Sequence, residues 1–126
     1  MTDLNAITVI GRITQEVGEK DFTFLSTGTA KLNLHIANNE SRKNGDKWED
    51  ETSYFDVTVW GKPAENLKQK IRKGLLIGVT GRLKQDRWEK DGQKKSKIYI
   101  NASAVEVLEK TEKPANDFVQ EDMPWD

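Results

Sequence analysis

Along residues 31–37 polar and apolar positions alternate without interruption, with Leu32, Leu34 and Ile36 on one side and Lys31, Asn33 and His35 on the other. That period of two is the signature of a strand with one buried face. The same pattern returns over residues 52–60, where Phe55, Val57 and Val59 oppose Tyr54, Asp56, Thr58 and Trp60. It returns again over residues 75–88, with Leu75, Ile77, Val79 and Leu83 on one face and Thr80, Arg82, Lys84 and Trp88 on the other. Residues 6–10 form a short β-branched run that stops at Gly11, and residues 97–108 a last strand after the hairpin signal Asp91-Gly92. Residues 41–51 are almost wholly polar around Asn44-Gly45 and predict a projecting loop. One stretch has helical spacing: residues 63–73 begin with Pro63, place Leu67 and Ile71 four apart, end in Arg72 and Lys73, and meet Gly74 just beyond. The short echo of Val9-Ile10-Gly11-Arg12 in Val79-Thr80-Gly81-Arg82 predicts a glycine bulge in each strand rather than a repeat.

The predicted order is three strands, one helix and two strands. In a chain of 126 residues, 35% hydrophobic, that is one all-β domain with one modest core. A small curled barrel with a helix between its third and fourth strands is the layout of the five-stranded OB-fold, here over residues 1–110. Residues 111–126 show no periodicity and too little apolar surface to offset the entropy of ordering, and are expected to be a disordered acidic C-terminal tail.

Charge divides the chain in the same place. The tail sets Glu112, Asp117, Glu121, Asp122 and Asp126 against Lys113, a net −4; with −1 for the whole chain, the preceding 110 residues carry +3. A basic body with an acidic end predicts a polyanion for the body and a protein partner for the tail. The absence of cysteine and the single His35 exclude disulfides, thiolate zinc sites, cysteine nucleophiles and histidine relays. No P-loop is present, so no nucleotide-driven enzyme is expected. Asp46, Glu49, Asp50 and Glu51 lack metal-ligand spacing and read as a solvated loop. No cofactor or metal is expected. The N-terminal residues resemble no signal peptide and no run approaches a membrane span, which predicts a cytoplasmic chain without membrane contact.

Tyr54, Trp60 and Trp88 fall on the polar faces of their strands, interleaved with cations, and Trp48 sits in the polar stretch. Large rings on a wet face suit the stacking of unpaired bases, although any one of them would equally serve a second small core or a subunit interface. Arg42, Lys62, Arg72, Lys73, Lys84 and Arg87 are scattered as a phosphate-tracking groove requires. In the tail, Asp117, Phe118, Glu121, Asp122, Met123, Pro124 and Trp125 mix acids with large apolar side chains, the composition of a short linear motif with Trp125 as its anchor.

These residues carry a resemblance. The run Thr52-Ser53-Tyr54-Phe55-Asp56-Val57-Thr58-Val59-Trp60-Gly61-Lys62, the following helix, Arg72-Lys73-Gly74, Val79-Thr80-Gly81-Arg82-Leu83 and Arg87-Trp88 are similar to the bacterial-type single-stranded DNA-binding proteins. The likeness covers about residues 4–110. It implies a homotetrameric OB-fold that coats single-stranded DNA during replication, recombination and repair, associated with the nucleoid. By the resemblance Tyr54, Trp60 and Trp88 stack on bases, and Lys62, Lys73 and Arg87 lie along the DNA path. A further stacking position of the family is occupied here by Arg42, whose guanidinium could lie flat on a base, or Trp48 could substitute for it. The acidic tip resembles the family's recruitment site for replication and repair enzymes, except that Asp126 follows Met123-Pro124-Trp125 where the family ends in an aromatic residue. An alternative of another class is an OB-fold protein-interaction adaptor of replication or restart, with incidental nucleic-acid binding. RNA as the ligand also stays open.

Overall fold

The computed structural model describes residues 2–109. Strands β1 (Ile7–Ile13), β2 (Phe22–Phe24), β3 (Ala30–Asn44) and β4 (Lys47–Trp60) precede the helix α1 (Lys62–Lys68), and β5 (Leu76–Lys90) and β6 (Gln93–Val107) follow it. The hydrogen-bonded order is β1-β5-β6-β4-β3-β2, and β1 also pairs with β3 at Arg12–Ala37 and Ile13–Ile36. Those two pairs close a five-stranded barrel of β1, β3, β4, β6 and β5 on itself. Its pairings are antiparallel except the one between β4 and β6. The short β2 lies outside the ring, on β3 alone, and is preceded by a single 3-10 turn at Glu19–Asp21. The expected fold class holds, an OB-fold barrel with one helix, which falls between β4 and β5 because β2 adds an element. The tail and the domain boundary at residue 110 lie outside the described residues. Among the described residues no helix is long and apolar enough to cross a membrane.

The alternation read from the sequence packs the barrel. Leu32, Leu34 and Ile36 of β3, Val57 and Val59 of β4, Ile77 and Val79 of β5 and Ile100 of β6 are buried together, and Ala64 and Leu67 of α1 close one end. Each buried aliphatic side chain contributes about 1.5–3 kcal/mol relative to exposure. Closure demands close backbone approach where strands cross. A Cβ on Gly81 would overlap the Asn101 carbonyl oxygen and lie 2.8 Å from Ala102 Cα, at the register shift where Ser103 bulges out of β6. There the predicted bulge exists, in the strand opposite the glycine. Gly11, by contrast, keeps regular register with Ile77 and β1 runs through it. What Gly11 permits is contact with β3, since a Cβ would come within 2.9 Å of Ala37 O.

Two other boundaries differ from expectation. Residues 41–51 are not a loop: β3 and β4 stay paired out to Asn44–Lys47 and form a long ribbon standing off the barrel. Both faces of that ribbon meet water, so hydropathy carries no periodic signal there. Polar cross-strand pairs hold it instead: Arg42–Glu51 at 3.2 Å, Ser41–Asp50 at 3.1 Å and Thr52–Asn39 at 2.7 Å. The helix is shorter than residues 63–73. After Lys68 the chain turns, Gly74 (φ +90°) donates its N–H to Ile13 O at 2.7 Å, and Ile71 and Leu75 enter the core. Arg72 and Lys73 therefore sit on a turn rather than in a last helical turn.

Candidate nucleic-acid interface

Directly opposed residues of an antiparallel pair share a face, so the registers give the outer surface of the sheet row by row. On β3 and β4 the opposed pairs are Lys31–Trp60, Asn33–Thr58, His35–Asp56 and Ala37–Tyr54. On β5 and β6 they are Arg82–Asn101, Lys84–Tyr99, Asp86–Lys97 and Trp88–Lys95. The parallel pairing Thr58–Asn101 joins the two halves into one face. Cations and rings alternate across it. Tyr54 is 72% exposed and Trp88 45% exposed. Trp48 belongs to β4 near the ribbon tip, opposite Lys43, and is 68% exposed.

Two side chains depart from the simple wet-face reading. Trp60 is half-buried: its Nε1–H donates to Asn101 Oδ1 at 2.9 Å, and the Lys31 ammonium sits 5.3 Å from the ring centroid. Thr58 is buried and its hydroxyl donates to Asn33 Oδ1 at 3.0 Å. Thr58 is paired on both edges of β4, with Asn33 and Asn101, and Trp60, paired with β3 alone, is covered by the side chains of Lys31 and Asn101.

The acids on this face are spoken for. Asp56 accepts from His35 Nδ1 at 2.6 Å and lies 3.5 Å from Lys97 Nζ, while Asp21 lies 3.8 Å from His35 Nε2. The Tyr99 hydroxyl donates to Asp86 at 3.5 Å. Desolvation by burial, reinforced by the Asp86 charge and that hydrogen bond, pushes the Tyr99 phenol above its ordinary value, so near neutral pH it stays an uncharged donor. Carboxylates that would repel a polyanion are thereby partly compensated in place. In the ribbon Glu51 pairs with Arg42, Asp50 accepts from Ser41 and Glu49 accepts from Asn44.

The remaining cations are distributed around this face. Lys84 is on it, and Lys62 opens α1 two residues after Trp60, 4.0 Å from Glu65. Arg72 and Lys73 are exposed on the turn before β5. Arg87 falls on the opposite side of the β5–β6 ribbon from Trp88, paired in register with Ser96, its guanidinium donating to Gln85 Oε1 at 3.2 and 3.1 Å. The structure thus brings together Tyr54, Trp60, Lys84 and Trp88, and adds Lys31, Lys97, Tyr99 and Asn101, which the sequence reading did not single out. Their signal was the same alternation, in β3 for Lys31 and continued into β6 for the other three, but only the β4–β6 pairing brings the β6 residues beside β4. Asp117, Phe118, Glu121, Asp122, Met123, Pro124 and Trp125 lie outside the described residues.

Comparison with known proteins is consistent across sequence and structure. The model of the Single-strand binding protein family matches residues 4–108. A single-stranded DNA-binding protein of Treponema pallidum is 37% identical over 108 residues, covering 86% of this chain and 60% of that protein. One from Aquifex aeolicus is 39% identical over 106 residues, covering 83% of this chain and 70% of its own length. The crystal structure of the wild-type single-stranded DNA-binding protein from Thermus aquaticus superposes with a TM-score of 0.72 at 33% identity, over 84% of this chain and 50% of that one. A Plasmodium falciparum protein in complex with single-stranded DNA gives 0.74 at 25% identity, over 86% and 98%. The chain therefore spans only 60% of the Treponema relative and half of the Thermus structure.

Proposed function

The chain belongs to the single-strand binding protein family, and from that premise we propose that it is a non-enzymatic binder of single-stranded DNA with little sequence preference. The observation that carries this reading is the outer sheet face, where exposed Tyr54 and Trp88 and the tethered Trp60 are interleaved with Lys31, Arg82, Lys84 and Lys97. Bases offer a stacking surface whatever their identity, and a line of cations follows any phosphate backbone. The role that follows is protection of unwound DNA in the cytoplasm during replication, recombination and repair. Titration with oligo(dT) over a range of salt tests the reading, with tryptophan fluorescence as the signal. The expected result is strong quenching and a log K that falls linearly with log salt, by about 0.7 per phosphate neutralised. Affinity independent of salt would contradict it, and competition with oligo(rU) of equal length decides between DNA and RNA.

Assembly into a homotetramer belongs to the same proposal. Over Ile7–Val9 the ladder of β1 is made on one side only, to β5, which leaves a short strand edge open to another copy, ending where Asn38 Nδ2 donates to Ile10 O. Beside it Ile10 and Leu108 expose aliphatic surface around Gly78. Several copies would let one strand cross several stacking faces, raising affinity through effective concentration. Sedimentation at micromolar concentration should give the mass of four chains, and a monomer would remove wrapping while leaving groove binding. In the tail, Phe118, Met123 and Trp125 among acids support recruitment of replication and repair enzymes by an anchored acidic motif.

A further inference from the structure

The single histidine of the chain stands in the middle of the outer face. Its row, His35–Asp56, lies between Tyr54 and Trp60, which at about 3.4 Å per residue are about 20 Å apart along β4. A bound single strand in contact with both rings therefore crosses it. The groups that face the imidazole come from three other elements. Asp56 of β4 accepts from Nδ1 at 2.6 Å, and Lys97 of β6 stands 3.5 Å from the other Asp56 oxygen. Asp21, in the 3-10 turn, lies 3.8 Å from Nε2 and accepts from the Gly18 N–H with its second oxygen. Thr14, just beyond β1, meets only the His35 carbonyl. With the Nδ1 proton shared with Asp56, neutral His35 turns the lone pair of Nε2 toward the Asp21 carboxylate, an acceptor facing an acceptor. A proton at Nε2 makes that contact attractive and takes the four side chains from a net −1 to zero.

We propose that His35 Nε2 is a proton-binding site coupled to nucleic-acid binding, and that one proton is taken up there when a single strand covers the face. Phosphates beside the cluster favour the imidazolium over the neutral ring, because it removes net negative charge from their path. The coupling is reciprocal: the bound strand promotes protonation, and affinity falls as pH rises and the proton is lost. Histidine is the side chain that ordinarily changes charge between about pH 5 and 8. The chain has one histidine and no cysteine, so this coupling has a single side chain to run through.

The inference rests on the single-strand reading, and its test separates the two. The full chain, His35→Gln and Asp56→Asn are titrated with oligo(dT) at constant salt between about pH 5.5 and 8.5, a range in which thymine does not titrate. The Gln amide keeps a donor for Asp56 but gains no charge, and Asp56→Asn removes the negative charge from the same row. The parent should lose about fivefold or more in affinity from the low to the high end, the effect of one unit charge a few ångströms from a phosphate. Calorimetry in buffers of different ionisation enthalpy should count up to one proton taken up per engaged chain. His35→Gln should stay flat at the parent's high-pH affinity. Asp56→Asn should bind tighter than the parent at the high end, a gain that a merely structural His35–Asp56 contact would not produce. A parent curve without slope would overturn the inference. So would a His35→Gln variant that keeps the parent's slope, because the α-amino group would then be the site, or an Asp56→Asn variant no tighter than the parent. Each of these leaves the single-strand reading standing, whereas a parent chain that fails to bind oligo(dT) at every pH would remove both.

Discussion

Val57→Asp is expected to abolish cooperative folding of the barrel. Val57 is fully buried, its strand is paired on both edges, and its register neighbours Leu34 and Ile100 are themselves core residues. The substitution removes about 1.5–3 kcal/mol of aliphatic burial. It also places a carboxylate among aliphatic side chains, at an effective cost of several kcal/mol in a real protein interior. A domain of this size is stable by only about 5–15 kcal/mol, so the sum consumes most or all of it. Thermal denaturation followed by circular dichroism should show no cooperative transition, whereas Val57→Ala should melt lower but cooperatively. A Val57→Asp protein melting within a few degrees of the parent would mean that β4 does not present this face to the core.

The second large effect is on binding. Tyr54→Ala combined with Trp88→Ala removes two exposed rings of the outer sheet face, and at about 1–3 kcal/mol per stacked base the pair should cost about 2–6 kcal/mol. That is thirtyfold or more in affinity for oligo(dT). Neither side chain holds the fold: Tyr54 is 72% and Trp88 45% exposed. The melting temperature should therefore stay near that of the parent. Trp60→Ala is a different experiment, because that ring is half-buried, hydrogen-bonded to Asn101 and covered by Lys31. It should lower stability and affinity together. Full affinity in the Tyr54/Trp88 double variant would show that the outer face is not where bases stack, and an interface between protein chains would become the better use for those rings.

How much of this could be read in advance depends on whether a residue's surroundings are local. The barrel strands and nearly all of the core were legible because a pleated strand turns successive side chains to opposite faces, so Leu32, Leu34, Ile36, Val57, Val59, Ile77 and Val79 declare themselves by spacing alone. Gly81 was legible as a bulge site for a related reason, since glycine within an apolar alternation signals backbone approaching backbone. The ribbon of residues 41–51 was hidden because two solvated faces give no alternation to detect. The helix was overextended because Ile71 keeps helical spacing from Leu67 and donates to its carbonyl at 3.0 Å, but no helical bond follows and the chain turns at Gly74 to meet Ile13. Arg87 stands next to Trp88 in sequence, and adjacency in a strand means opposite faces.

The sequence by itself determined the candidate face: which rings and cations point away from the core follows from a period of two, and that period is fixed by covalent geometry. Only the tertiary structure decided what those residues meet. Residues 97–101 are some forty positions from Asp56 and Trp60, and nothing local places Lys97 beside Asp56 or Asn101 beside Trp60. Barrel closure does so, by running β6 parallel to β4 and between β4 and β5. Closure is a long-range choice, won by burying the apolar faces of five strands against one another, and it turns a tryptophan that alternation alone would leave in water into a half-buried ring tethered to Asn101.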